Sequence, residues 1–158
     1  MRVRIVVADQ SEARFYDAEH RDSPLRLVGA ITDPLAHLHD RDFKSDRPGR
    51  VYDHAAGAGR RGATAHHSTG GERTPRKHEA RMFARRIAAQ VETAYRQNEF
   101  DRLILMAAPG FLGLLRQALP ASLAAVVGAE VGKNLVREAA MAVAAHIPAD
   151  AFQTVARA

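Results

Sequence analysis

Apolar residues in the first third of the chain form three runs that predict β-strands. VRIVVAD (residues 3–9) and EARFYDAEH (residues 12–20) are separated only by Gln10-Ser11, which predicts an antiparallel hairpin. LRLVGAIT (residues 25–32) follows Pro24 and ends before Asp33-Pro34. The chain is therefore expected to open with three antiparallel strands.

A long amphipathic helix is predicted from Thr74-Pro75 onward. Threonine can cap a helix, and proline suits its first position. Its apolar stripe consists of Phe83, Ile87, Val91 and Tyr95, with Ala80, Ala84 and Ala88 beside them. The arginines at the sides or outside of the stripe are Arg81, Arg85, Arg86 and Arg96. One face of this helix should therefore pack on a core.

Four further elements are expected after this helix. They are a strand in DRLILMAAPG (101–110), a helix in FLGLLRQALP (111–120), a strand in SLAAVVGAEV (122–131) and a helix in NLVREAAMAVAAHI (134–147). Three strands followed by helix, strand, helix, strand and helix predict an α/β fold with a mixed sheet flanked by helices. This order is that of the ribonuclease H-like fold, although order alone does not imply function.

Residues 36–74 show no periodic pattern and predict a long basic loop after the third strand. Glycine, arginine, histidine, aspartate and serine dominate this stretch. Loops of this length are usually functional or disordered. We expect residues 44–74 to be poorly ordered without a partner, because they have little apolar surface to dock. The rest fits one domain over residues 1–148, followed by a tail at residues 149–158.

The positive charge of the chain is concentrated in this region. Residues 44–77 contain eight basic residues against three acidic ones, whereas the rest contains fifteen of each, so the net charge of +5 belongs to this stretch. A polyanion is the natural partner of such a stretch. A solvated loop without a partner explains the same charge.

Composition narrows the compartment and the class of protein. The 158 residues include no cysteine, which excludes disulfides and thiolate metal sites. No apolar run approaches the roughly 18 to 20 residues of a membrane span, and the first residues alternate unlike a secretory signal. We therefore expect a cytoplasmic protein without a membrane partner.

A nuclease site is not expected. Asp9 ends the first strand, where a ribonuclease H-like nuclease would place a metal-binding carboxylate. The end of the fourth strand, residues 106–110, contains no acid, and Glu79 or Glu92 would leave the set incomplete. Asp9 is therefore interpreted as a turn residue.

Cofactor, metal and nucleophile patterns are equally weak. The G-x-G-x-x-G match at residues 57–62 lies in a polar loop without the strand and helix that a dinucleotide site requires. The loop histidines show no convergent spacing, and no Gly-Xaa-Ser-Xaa-Gly elbow is present. No cofactor and no metal are expected.

Gly70-Gly71 precedes the long helix and is the most suggestive loop feature. Glycine lets the backbone approach a ligand closely, and a helix N-terminus favours anions. The candidate phosphate-binding residues are Arg60, Arg61, Gly70, Gly71, Arg73, Arg76 and Lys77. A flexible turn ahead of a well-capped helix is the alternative interpretation.

FDRLILMAAPGFLGLLRQALP (residues 100–120) resembles the hallmark of the bacterial host-attachment protein family, described as proteins required for attachment to host cells. FLGLLR (residues 111–116) is its most specific part. The segments VVADQSEARFYDAE (6–19), ARMFARRIAAQVETAY (80–95) and GAEVGKNLV (128–136) also agree, in the same order. The resemblance spans nearly the whole chain.

That family resembles the middle domain of archaeal and eukaryotic class-1 translation release factors, which has a ribonuclease H-like core. In release factors, a Gly-Gly-Gln loop before a long helix helps water cleave the ester of peptidyl-tRNA. Gly70-Gly71 lies in the matching place, but Glu72 replaces the glutamine. A carboxylate lacks the amide donor and is repelled by phosphate.

The resemblance implies a translation-associated factor that binds RNA, with the ribosome or a tRNA as partner and no enzymatic activity required. One alternative is a peptidyl-tRNA or other ester hydrolase acting through Gly70-Gly71-Glu72, in which Glu72 is the only catalytic candidate. Another is a protein acting in attachment to host cells, directly or through the expression of other adhesion factors. The sequence does not indicate an oligomeric state.

Overall fold

The computed structural model describes residues 1–37 and 75–153, which form one open sheet with helices on both faces. The strands are β1 (Val3–Ala8), β2 (Glu12–Ala18), β3 (Arg26–Thr32), β4 (Arg102–Met106) and β5 (Val127–Val131). The α-helices are α1 (Pro75–Arg96), α2 (Pro109–Ala118), α3 (Ala121–Ala124) and α4 (Ala140–Ala145), and a 3-10 helix spans Pro34–His37.

The strand order in the sheet is β3-β2-β1-β4-β5. β1 pairs antiparallel with β2, and β2 with β3, whereas β1 pairs parallel with β4, and β4 with β5. The central strand β1 is buried along its full length because it has neighbours at both edges and cover on both faces. The expected α/β class and mixed five-stranded sheet are confirmed.

Alternate residues of β1 belong to two separate cores. Val6 and Ala8 face a core that includes α1 and α2, while Ile5 and Val7 face a second core closed by the C-terminal segment around α4. A strand side chain points to the opposite face at each successive residue, so the run VRIVVA supplies both layers at once.

The stripe predicted for α1 is the face that packs on the sheet. Phe83, Ile87 and Val91 are buried, and Tyr95 is partly buried beside Phe100. The helix ends at Arg96, and two residues later Asn98 adopts the left-handed conformation with φ of 57° while Glu99 N donates to Ala94 O. Asparagine tolerates this conformation and commonly ends a helix in this way.

The helix predicted over residues 134–147 was too long, since α4 covers only Ala140–Ala145. Asn134 Oδ1 accepts a hydrogen bond from Val136 N, so its side chain closes a local turn that competes with a helical start. Leu135 and Val136 are instead buried in the second core. The sequence pattern identified these two residues as apolar, but it did not predict the turn that places them in the second core.

The strand predicted over residues 122–131 begins late, because its first residues form α3. Pro120 precedes this helical turn, and its carbonyl accepts from Leu123 N and Ala124 N. Leu123 is fully buried against the first core, which fixes the turn in place. Alanine favours helix over strand, so the alanine-rich start of this stretch is compatible with the observed form.

Within the described part of the chain, none of the helices combines the length and the apolar character needed to cross a lipid bilayer.

Candidate phosphate-binding crevice

The carboxyl ends of β1 and β4 border a crevice of about 380 Å³. After β1 the chain turns back into β2, whereas after β4 it enters α2, so the two neighbouring strands lead in different directions. Ligands of open α/β sheets bind at such switch points. This crevice is lined by Asp9, Gln10, Ser11, Ala36, Arg76, Ala108, Gly110, Phe111, Asn134 and Arg137.

A second groove of about 550 Å³ adjoins the crevice between the first turns of α1 and α2. It shares Gln10, Arg76, Gly110 and Phe111 with the crevice and adds Lys77, Ala80, Arg81 and Leu114. Two helix N-termini and several cations therefore border the same depression.

Asp9 organises the hairpin turn at the edge of the crevice. Its Oδ1 accepts hydrogen bonds from Ser11 N at 2.8 Å, Ser11 Oγ at 2.9 Å and Glu12 N at 2.8 Å. Burial opposes ionisation, but these bonds and one from the Asn134 side chain outweigh it and lower the pKa of Asp9. Asp9 thus makes the turn contacts that the sequence interpretation assigned to it.

Across residues 1–37 and 75–153, no group of three or more histidine, aspartate or glutamate side chains lies close enough together to hold a metal ion.

The N-terminus of α2 points its backbone donors toward the crevice. Ala108 occupies the capping position without a side-chain hydrogen bond, and Pro109 has no amide hydrogen to offer. Leu112 N already donates to Ala108 O. The first-turn amides have no acceptor within the helix, so they are left to water or to a bound anion. Gly110 lines the crevice, and a Cβ added there would meet nothing within 4 Å.

α1 carries its cations where the helix dipole disfavours them. Arg76 and Lys77 lie in its first turn, which contains no acid. Five of its first twelve residues are basic and one, Glu79, is acidic. Each cation near a helix N-terminus typically costs roughly 0.3–1 kcal/mol, because the dipole presents partial positive charge there. A bound anion would reverse that penalty.

Arg137 also lines the crevice and belongs to the segment between β5 and α4. Neither Arg76 nor Arg137 forms an ion pair with another described residue. Both residues are exposed. The crevice therefore receives positive charge from two different segments of the chain.

Two of the sequence-predicted site residues, Arg76 and Lys77, border this depression. The others lie outside the described residues: Arg60, Arg61, Gly70, Gly71, Glu72 and Arg73. The sequence analysis missed Arg81, which follows Lys77 by one helical turn and could have been found from that spacing. It also missed Arg137, because the expected helix over residues 134–147 concealed the turn on which this residue lies.

A family model for "Protein required for attachment to host cells" matches residues 4–147. The matched range begins at the second residue of β1, ends after α4 and includes all the strands and helices between them. None of the curated proteins searched matches this chain. The family model covers most of the sequence, and the chain therefore belongs to the family of proteins required for attachment to host cells.

Proposed function

We propose that this protein binds the phosphate backbone of RNA, on the ribosome or on a tRNA, through the crevice and the basic stretch that precedes α1. The observation that carries this proposal is the position of Arg76 and Lys77. They occupy a helix N-terminus that has no acid, at the mouth of a depression bordered also by Arg81, Arg137 and the start of α2.

Electrostatics favours an anionic ligand at this place. Two helix N-termini and several guanidinium or ammonium groups contribute potential of the same sign, and a concave surface concentrates that potential. The basic stretch over residues 44–77 adds positive charge to the sequence that leads into α1. A polyanion contacts many such groups at once, whereas a single small anion would use only a few.

The strand order supports a finer version of the proposal. An order of β3-β2-β1-β4-β5, antiparallel through the first three strands and parallel thereafter, is the one expected of a ribonuclease H-like core. A core of that kind agrees with the resemblance to the middle domain of class-1 release factors. In this version the protein acts in translation, and its effect on attachment passes through the synthesis of other factors.

Co-sedimentation with ribosomes at low and moderate salt tests the proposal. The wild type is expected to sediment with ribosomes at low salt and to be released as salt rises. Each phosphate neutralised should lower the logarithm of the affinity by about 0.7 to 0.9 per tenfold increase in salt. A triple variant Arg76→Glu/Lys77→Glu/Arg137→Glu should lose most of the binding at both concentrations.

A matched control reverses three other exposed cations, Arg21, Arg26 and Arg96, at the opposite end of the sheet and of α1. This variant changes the net charge by the same amount. A loss of ribosome binding that occurs only in the crevice variant would therefore show that the position of the charges matters, and not only their number. Equal loss in both variants would reduce the interaction to non-specific attraction. Absence of wild-type binding at low salt would refute the proposal.

A further inference from the structure

Asp33 lies at the junction between β3 and the 3-10 helix and is 2% exposed. Its backbone N donates to Ser11 O at 2.8 Å, and its Oδ1 accepts from Leu35 N at 3.0 Å. Its Oδ2 is buried and has no hydrogen-bond donor among the described residues. A buried carboxylate oxygen without a hydrogen-bond donor lowers the stability of the folded state.

Glu79 of α1 reaches the same junction. Burial raises the pKa of Glu79, and the adjacent Asp33 carboxyl group, within hydrogen-bonding reach, raises it further, while the charge of Arg86 opposes both effects. The Arg86 guanidinium itself extends toward the end of β3, where Nη2 lies 3.5 Å from Thr32 O. Glu79 and Arg86 are two helical turns apart and therefore lie on the same face of α1.

Two adjacent carboxylates cannot both ionise without strong repulsion, and each lacks a hydrogen to donate. One proton held between them removes the repulsion and supplies the donor that Asp33 Oδ2 lacks. Of the charged groups that act on Glu79 in the described structure, Asp33 belongs to the β3 junction and Arg86 to α1 itself. The positive charge of Arg86 lessens the repulsion but does not provide Asp33 Oδ2 with a hydrogen bond.

We propose that Asp33 and Glu79 share one proton and so form a pH-sensitive contact that fastens the 3-10 helix to α1 at mildly acidic pH and weakens as the pH rises. The contact joins the two described stretches that end at residue 37 and begin at residue 75. It stands independently of RNA binding, because neither Asp33 nor Glu79 lines the crevice.

The sign of the pH dependence follows from the direction of the pKa shift. The pKa of Glu79 is raised in the folded state, so its protonated form is favoured by folding. The associated stability is complete below the ordinary pKa of an unfolded glutamate. It is lost as the pH increases through the raised folded value.

Carbon-detected NMR titration of the Glu79 carboxyl group in the full chain tests the shared proton directly. In the wild type this group should titrate above the ordinary range of glutamate. In Asp33→Asn it should shift back toward that range, because the amide removes the neighbouring charge and donates a hydrogen bond to the Glu79 carboxylate. An unchanged titration in Asp33→Asn would show that burial alone is responsible and would overturn the proposal.

Thermal unfolding as a function of pH provides a second measurement. Glu79→Gln replaces the shared proton by an amide that can donate to Asp33 Oδ2 at every pH, so it should cancel the loss of stability that the wild type shows above mildly acidic pH. Glu92→Gln is the control, because Glu92 lies on the same helix but pairs with Arg96. If wild type and Glu79→Gln show the same pH profile, no proton is shared. Should Glu79→Gln fail to fold, the wild-type and Asp33→Asn titrations still decide.

Discussion

At Gly128, β5 passes so close to the Arg102 side chain that a methyl group does not fit between them. A Cβ built at this position would overlap Arg102 Nε. The same guanidinium donates through Nη1 to the carbonyl oxygen of Gln153, so it fastens the C-terminal part of the described chain across the edge of the sheet. Glycine is required here for close approach rather than for an unusual backbone conformation.

Gly128→Ala should therefore displace Arg102 and release Gln153, lowering the free energy of unfolding by about 1–3 kcal/mol. The Arg102 side chain is flexible, so the fold should survive while the C-terminal segment becomes easier for carboxypeptidase to remove. Urea unfolding and timed proteolysis measure the two effects. Gly132→Ala is the control, since its Cβ would meet Pro109 Cγ at an ordinary 3.6 Å. Equal stability and equal proteolysis of the two variants would contradict the proposed role of Arg102 in holding Gln153.

Individual residues differed in how well the sequence disclosed their roles. Asp9 was interpretable because a short polar pair between two strand patterns demands a turn, and aspartate accepts hydrogen bonds from the amides that follow it. Asn134 makes the same kind of bond to Val136, yet it stands at the start of an apolar run that also fits a helix. The turn at Asn134 was therefore not predicted, because the same residues also fit a helical pattern.

Among the elements, length and periodicity decided what could be predicted. α1 has an apolar stripe that recurs from Ala80 to Tyr95, and its observed start at Pro75 agrees with the sequence. α3 and α4 span only four and six residues, and packing of Leu123 and Val143 rather than local propensity holds them. Short helices depend on tertiary contacts, because helix nucleation is costly.

α2 contains a glycine that its own packing does not require. Gly113 lies within the helix, and a Cβ added there would meet nothing within 4 Å. Gly113→Ala should therefore raise the free energy of unfolding by about 0.5–1 kcal/mol, the usual gain of alanine over glycine inside a helix. Chemical denaturation followed by circular dichroism measures it.

Gly110→Ala provides the comparison for this prediction. Gly110 has equally open surroundings but lies in the first turn of α2. Glycine destabilises a helix less there than in its interior. The gain in unfolding free energy for Gly110→Ala should therefore be smaller. Because Gly110 lines the crevice, this variant should also be tested for loss of ribosome binding. A decrease in stability for Gly113→Ala would contradict the open environment described for this helix face.

For the whole molecule, the fold was more predictable than the candidate site. Strand and helix order follows from local periodicity, which a single sequence contains. The crevice instead assembles residues from distant parts of the sequence around the ends of β1 and β4, which pair in parallel. The cluster of basic residues in the sequence identified Arg76 and Lys77 as candidate phosphate-binding residues. It could not show that they lie near Arg137 and the start of α2.

Arg4 joins three parts of the molecule from a buried position on β1. Its guanidinium bonds both oxygens of Asp17 on β2, with Nη2 to Oδ2 at 3.1 Å, and also reaches Glu99 Oε2 at 2.9 Å after α1. It lies over the Phe100 ring at 5.1 Å from the centroid. The Arg4 side chain is 7% exposed and that of Asp17 16%, so solvent screens their pairing only weakly.

Arg4→Met should lower the free energy of unfolding by about 3–5 kcal/mol, because it leaves the nearly buried Asp17 carboxylate with only the exposed Arg26 guanidinium, 3.9 Å away, as an ion-pair partner. Urea denaturation provides the measurement. Arg2→Met is the matched control on the same strand end: its pair with Asp101 is half exposed on both sides and should contribute about 0–1 kcal/mol.

The double variant Arg4→Met/Asp17→Leu separates the value of the ion pair from the cost of isolating one charge. Removing both charges should restore much of the stability, since Glu99 is 46% exposed and can return to solvent. If the double variant remained as unstable as Arg4→Met, the loss would come from packing around Phe100 rather than from the Asp17 carboxylate. If Arg4→Met matched Arg2→Met, the Arg4 network would contribute no more than a surface ion pair.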